Sequence, residues 1–193
     1  MKRKFSIIFE ATLLSIAVLV IAGCQFSPQA RKASSIVLSK TGSIYTLCGE
    51  DVSLAGYETA RIDGIENNVV QGKEQAEMCS LLYEDIVKRL EKSKLFKKVC
   101  RNASPESAGK TLLIEGRLID YVKGSRFKRM ATLGGAGFIV VRFTFKDAES
   151  AQTLAEINAR AFVRDGLIFG GSIRDAVSVT NKGAVNFIKK RAK

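Results

Sequence analysis

The chain contains no histidine. That absence removes the side chain most often used as a general base near neutral pH and the commonest imidazole ligand for a metal. There is also no GxSxG elbow, no CxxC pair and no pair of carboxylates at a recognisable catalytic spacing, so hydrolytic, thiol-redox and zinc chemistry lack their usual sequence carriers. Cysteine is sparse, at four residues. Beyond Cys24, the remaining Cys48, Cys79 and Cys100 form an odd set from which at most one internal disulfide can be made. Their wide separation argues against a metal site. The expectation is a non-enzyme without metal or cofactor. Acidic residues are also few, 19 against 31 lysines and arginines, a net charge of +12. Nothing past the first 22 residues is apolar for long enough to cross a bilayer as a helix.

What is present begins at the N-terminus. Lys2, Arg3 and Lys4 precede an apolar run from Leu13 to Ala22, and the run closes on Leu19-Val-Ile-Ala-Gly-Cys24. A lipoprotein signal peptidase needs small residues before its cut and a thiol after it, because the Cys24 sulfur is alkylated by diacylglycerol before Gly23–Cys24 is cleaved. Glu10 interrupts the apolar stretch, and what remains is nearer a signal-peptide core than the ~20 residues of a membrane span. The pattern predicts a bacterial lipoprotein, with a signal peptide over 1–23, a lipidated tether over 24–34 and one periplasmic domain over 35–193. Loss of the signal peptide removes Lys2, Arg3, Lys4 and Glu10 and leaves a net charge of +10. Diacylglycerol and an N-terminal acyl chain such as palmitate make a firm anchor without a second membrane signal. Gln25, in place of the aspartate that commonly retains such proteins at the inner membrane, favours the outer membrane. That address makes nucleic acid an unexpected partner despite the basic charge.

Hydrophobic periodicity gives the elements. Ile36–Ser39 and Ser43–Cys48 predict a strand pair, while Gly49–Asn68 shows no clear period and predicts a loop with short extended pieces. Met78, Cys79, Leu82, Ile86 and Leu90 fall on one stripe, predicting a helix over Gly72–Ser93. Leu95–Cys100 predicts a strand, and so does Thr111–Val122, bent near Gly116, with Leu113, Leu118 and Tyr121 interleaved among Glu115, Arg117 and Asp120. Phe138–Lys146 sets Ile139, Val141, Phe143 and Phe145 against Arg142, Thr144 and Lys146. Thr153–Arg164 answers with Ala155, Ile157, Ala159, Ala161 and Val163, and the two predict a hairpin with one wet face. Ser172-Ile-Arg-Asp175 reads as a capping box opening a final helix whose stripe is Ile173, Val177, Thr180, Ala184, Phe187 and Ile188. The fold class expected is α+β, a mainly antiparallel sheet with two amphipathic helices packed on one face.

Two segments invite a ligand. Lys123, Arg126, Lys128 and Arg129 precede the glycines Gly134, Gly135 and Gly137, a combination reminiscent of a phosphate cradle. Such cradles set their glycines between a strand and a helix N-terminus, and here a strand follows, in a spacing that matches neither GxGxxG nor GxxxxGK. A strand-to-strand turn with solvated cations is the favoured reading, and an anionic partner is the alternative. Asp165–Gly171 offers Gly170 and Gly171 ahead of the last helix, but Leu167, Ile168 and Phe169 in the middle of the loop point to packing, with a protein-contact loop as the second reading.

The segment GSRFKRMATLGGAGFIVVRFTFKDAESAQTLAE, the later RDGLIFGGSIRDA and the closing amphipathic helix together resemble an uncharacterised family of bacterial lipoproteins, domain of unknown function 4410. The likeness runs from about Gly72 to the end and is carried by Gly116, Gly124, Ser125, Arg126, Arg129, Gly134, Gly135, Gly137, Asp147, Gly170 and Gly171. The turn after Asp147 departs from it, with Glu149-Ser150-Ala151 where a glycine is usual. The resemblance implies an α/β sandwich akin to envelope proteins of secretion and assembly systems, and no reaction. The functional expectation is a lipid-anchored, non-enzymatic assembly or scaffolding module with an envelope protein partner. The alternative is a binder of anionic glycan or lipid through the basic segment.

Overall fold

A computed structural model describes residues 35–39, 42–69, 73–102, 109–122, 137–163 and 173–193. In chain order the elements are β1 (Ser35–Ser39), β2 (Gly42–Cys48), β3 (Thr59–Asn67), α1 (Lys73–Ser93), β4 (Lys98–Arg101), β5 (Thr111–Val122), β6 (Gly137–Asp147), β7 (Thr153–Val163) and α2 (Ile173–Arg191). The strands form one seven-stranded sheet in the order β1-β2-β7-β6-β5-β3-β4. Both helices pack on one face of it, as the α+β expectation requires.

The hairpin at the sheet centre follows from alternation. Every second residue of β6 from Ile139 to Phe145, and of β7 from Ala155 to Ala161, is at most 1% exposed. The β7 alanines are small, so α2 comes close, and its Phe187 ring stacks on Phe145 with centroids 5.3 Å apart. Val177, Thr180, Ala184, Phe187 and Ile188 are buried as their spacing predicts. The two helices lock together through Asn181, fully buried, whose amide donates to the Leu82 carbonyl at 2.9 Å and to Asp85 at 3.0 Å. Arg89 in turn joins Asp85 to Ser178 across the same crossing.

The stretch 49–68 is not the loop expected of it. It contains β3, which lies between β5 and β4 and is parallel to both. Ala60 and Ile62 are fully buried, but the register then shifts between Ile62 and Gly64, so Asp63 is an extra residue and the inward parity changes. A bulge of that kind erases the period-two signal over a nine-residue strand. Parallel pairing also needs a crossover, which α1 supplies, rather than a turn visible next to the strand.

A second correction concerns β5. Its irregularity lies between Leu118 and Asp120, not at Gly116. Leu112, Ile114 and Leu118 face the helices, and the extra residue brings Tyr121 to the same side, where its hydroxyl donates to Glu74 of α1 at 2.9 Å. Leu113 stands on the opposite face, opposite Arg61 and Lys146. Gly116 has a packing reason instead, because a Cβ there would overlap the Ile65 side chain on β3.

The three described cysteines are all free, with Cys79 and Cys100 buried and Cys48 half-buried. Burial pushes the Cys79 thiol pKa up, which keeps it a protonated, inert hydrophobe.

The β6–β7 turn explains how the chain manages without the usual glycine. Asp147 accepts from the backbone amides of Glu149 and Ser150 and from the Ser150 hydroxyl, at 3.1, 2.9 and 3.0 Å. With the turn pinned, Ala151 takes a left-handed φ of 57°. An alanine there costs about 1–2 kcal/mol, partly offset by the backbone entropy a glycine loses, so Ala151→Gly is expected to raise stability by about 0.5–1 kcal/mol. A thermal melt that falls on this substitution would contradict the left-handed turn.

Candidate functional surface

The face of the sheet away from the helices is the surface available for work. Its middle is a set of charge pairs, all but one of those described laid across strands. Arg117 bonds Glu66 at 3.0 Å, Lys146 bonds Glu115 at 2.8 Å and Arg61 bonds Asp63 at 3.0 Å. Arg142 donates to Asn158 at 3.1 Å, with Glu156 3.8 Å away. The Asp63 bulge opens a depression of about 410 Å³ among these groups, lined by Asp63, Glu66, Glu115, Arg117, Arg142 and Thr144 with Gly64 and Gly116. Most of its charged groups already hold a partner of opposite sign.

Towards the end where β5 stops and β6 begins, the face turns aromatic. Register places Val122 opposite Phe138 and Phe138 opposite Phe162. The Arg160 guanidinium lies over both rings, 4.4 Å from the Phe138 centroid and 4.7 Å from that of Phe162, and the rings themselves meet edge to face at 6.4 Å. The exposed large hydrophobic side chains among the described residues are Tyr45, Val122 and Phe162, 36, 42 and 36% exposed, and all three are on this face.

Burial lowers the Arg191 guanidinium pKa from its ordinary value, while two tyrosines and an aspartate are displaced away from neutrality. Tyr57 is pushed up to about 12 by burial and by its 2.9 Å hydrogen bond to Asp147. Tyr121 rises to about 12 through burial and its bond to Glu74. Asp147 is held down at about 2, chiefly by the Ser150 amide and then by the Tyr57 hydroxyl. A general acid or base near pH 7 needs the opposite displacement. These tyrosines stay protonated and this carboxylate stays ionised, and each hydrogen bond ties one part of the chain to another. Among the described residues no cluster of three or more cysteine or carboxylate side chains could hold a metal ion.

Few of the sites expected from sequence fall where the structure speaks. Gly23, Cys24, Lys123, Arg126, Lys128, Arg129, Gly134, Gly135, Gly170 and Gly171 lie outside the described residues. Gly137 is described, buried, as the first residue of β6. The strands on either side of residues 123–136, β5 and β6, are antiparallel neighbours. The Phe138–Arg160–Phe162 stack was not among the expected sites. Alternation places Arg160 outward, and a hairpin register through the 148–152 turn brings Phe138 and Phe162 opposite each other.

The family described as a domain of unknown function, DUF4410, matches residues 48–164. The chain belongs to DUF4410. No curated protein matches it in sequence. Among solved structures, this DUF4410 chain is similar to the PelC dodecamer from Paraburkholderia phytofirmans, at 11% identity and a TM-score of 0.50, with 79% of this chain and 99% of that one covered. A second crystal form, of a single-residue variant of the PelC dodecamer, gives 10% identity, a TM-score of 0.49 and coverage of 79% and 98%. A hypothetical protein from Chlamydia trachomatis gives 11% identity, a TM-score of 0.40 and coverage of 69% and 94%. At these identities the likeness is one of fold. No helix among the described residues of this DUF4410 chain is long and apolar enough to cross a membrane.

Proposed function

We propose that this DUF4410 chain is a lipid-anchored protein of the cell envelope, held at the outer membrane through Cys24, and that it acts without catalysis as a structural subunit of a multi-copy assembly. The observation that carries the assembly reading is the PelC likeness, which spans 99% of a chain crystallised as a dodecamer. The anchor reading rests on the Leu19–Cys24 motif, and the outer membrane on Gln25. The absence of catalysis is supported by the displaced ionisations, which favour fixed charge states at neutral pH. An envelope protein built on the same assembly is the partner such a subunit serves.

The test is in cells. The wild-type chain is expected to incorporate labelled palmitate and to fractionate with the outer membrane. Cys24→Ser should abolish the label and leave the uncut precursor at the inner membrane, because without the thiol there is no lipid acceptor and no cleavage. Normal processing of that variant would overturn the anchor. A mature chain that remains a single copy in mild detergent would overturn the assembly.

A further inference from the structure

We propose that the Arg160–Phe138–Phe162 stack, with Val122 and Tyr45 around it, is a docking site for the phosphate headgroups of an anionic phospholipid surface, with the neighbouring apolar side chains entering the interface. The inference goes beyond the assembly reading, and its choice of a membrane rests on the anchor at Cys24.

Arg160 differs from the other arginines of its sheet face. Arg61, Arg117 and Arg142 each have a carboxylate within 4 Å. Arg160 has no ion pair among the described residues, and its Nε is buried without a hydrogen-bond partner there. Along its row, Arg160 is opposite Val140 and Val140 is opposite Asp120, two strands away. Asp120 is the carboxylate of that row, and no ion pair joins it to Arg160. The guanidinium is therefore held against two rings with no ion pair among the described residues. Contact with the rings restrains it in advance, and a planar fork of donors suits a phosphate or carboxylate oxygen pair.

The surroundings decide which anion. A soluble ion would meet three large apolar side chains, Tyr45, Val122 and Phe162, that gain nothing from it. A phospholipid surface presents phosphate next to hydrocarbon, which matches an arginine bordered by exposed aromatic and aliphatic groups. The chain outside the described residues also permits it. β1 starts at Ser35, opposite Tyr45, and Tyr45 and Arg160 sit on neighbouring strands. Residues 24–34 can span at most about 36–40 Å, and Ser35 is on the order of 12 Å from Arg160 by strand spacing and rise. A lipid on Cys24 thus holds this face within reach of the membrane that anchors it. The net charge of +10 on the processed chain adds an attraction to anionic lipid.

The chain has no tryptophan, so Val122→Trp supplies a single reporter at the rim of the proposed site, opposite Phe138. The mature protein carrying this reporter is reconstituted into vesicles of phosphatidylcholine, with or without phosphatidylglycerol, and with brominated acyl chains as quenchers. Docking predicts a blue-shifted emission, quenched by bromolipid, stronger with phosphatidylglycerol and reduced by salt. Adding Arg160→Gln should lower the docked-to-undocked ratio about fivefold, the worth of one cation near an anionic membrane. Arg160→Lys should restore the charge but not the full effect, since an ammonium does not stack as a plane. Mass analysis of the N-terminal peptide reads the anchor separately. A lipidated protein whose reporter stays unquenched on every vesicle overturns the docking site while the anchor stands. A chain without lipid overturns the anchor, and quenching on added vesicles then still reads the docking site directly. If Arg160→Gln unfolds the protein, the phosphatidylglycerol and salt dependence of the reporter protein alone decides, and their absence overturns the proposal. A blue shift that grows with protein concentration in the absence of vesicles would assign the patch to a second copy and overturn it as well.

Discussion

Phe143→Asp is expected to unfold the protein, with the cooperative melt lost at room temperature. Phe143 is fully buried in the middle of β6, opposite Gly116 on one side and Ile157 on the other. Its side chain belongs to the apolar cluster under the helices, so an aspartate there has no cation to meet. Removing the ring costs about 3–5 kcal/mol in lost contact and cavity. Burying a carboxylate, even one that protonates to avoid its charge, adds several more. Against a total stability of about 5–15 kcal/mol, the sum leaves little or nothing. The neighbouring Arg142→Asp is the control. Its side chain is 35% exposed, and Glu156 is 3.8 Å away, so the loss of that pair costs no more than about 1 kcal/mol. Urea unfolding followed by circular dichroism compares them. If the two variants unfold at the same urea concentration, the two faces of β6 have been assigned the wrong way round.

That pair of variants also shows why some of this fold was legible in the sequence and some was not. The β6–β7 hairpin, α1 and α2 carry clear periods, and their stripes are buried where the spacing put them, except that Ile173 is half-buried and the Val163 side chain lies outside the description. The strand β3 was hidden because Asp63 interrupts its alternation and because its partners β4 and β5 lie across a helix in sequence. Leu113 misled for a related reason. It is an apolar residue at 8% exposure on the outward face, covered by neighbours on other strands rather than by the core its own pattern suggests. On the functional side, alternation identified Arg160 as outward but is silent on what an outward residue meets. The stack with Phe138 and Phe162 depends on register between two strands, which the Asp147 turn sets, and the carboxylate of Arg160's row, Asp120, is two strands away. The basic segment after Val122 stood out by charge density, but density does not say whether a cation is already paired. Across this sheet face most charges are paired, and the arginine without an ion pair among the described residues stands against aromatics.

Gly49→Val is the second substitution expected to remove a large part of the stability, by about 2–5 kcal/mol. Gly49 ends β2 with a left-handed φ of 73°. A side chain in that conformation costs about 1–2 kcal/mol. The larger part comes from space. A Cβ at Gly49 would overlap the Leu154 carbonyl oxygen and lie 2.7 Å from the Cα of Ala155. Those are backbone atoms of β7, a strand paired on both sides, so neither can yield as a flexible side chain would. Overpacking of this kind costs about 1–3 kcal/mol. The segment after Gly49 cannot swing aside either, because Leu54 donates its amide to the Arg191 carbonyl at 2.8 Å and Arg191 donates to the Glu50 carbonyl at 2.6 Å. Gly56 separates the two contributions. Its φ is 85°, but nothing lies within 4 Å of a Cβ placed there, so Gly56→Ala should cost only about 1 kcal/mol from the backbone. Urea midpoints at unchanged slope give both values. A Gly49→Val protein no less stable than Gly56→Ala would mean that the end of β2 does not press on Leu154 and Ala155, and the contact between β2 and β7 at that end of the sheet would have to be redrawn.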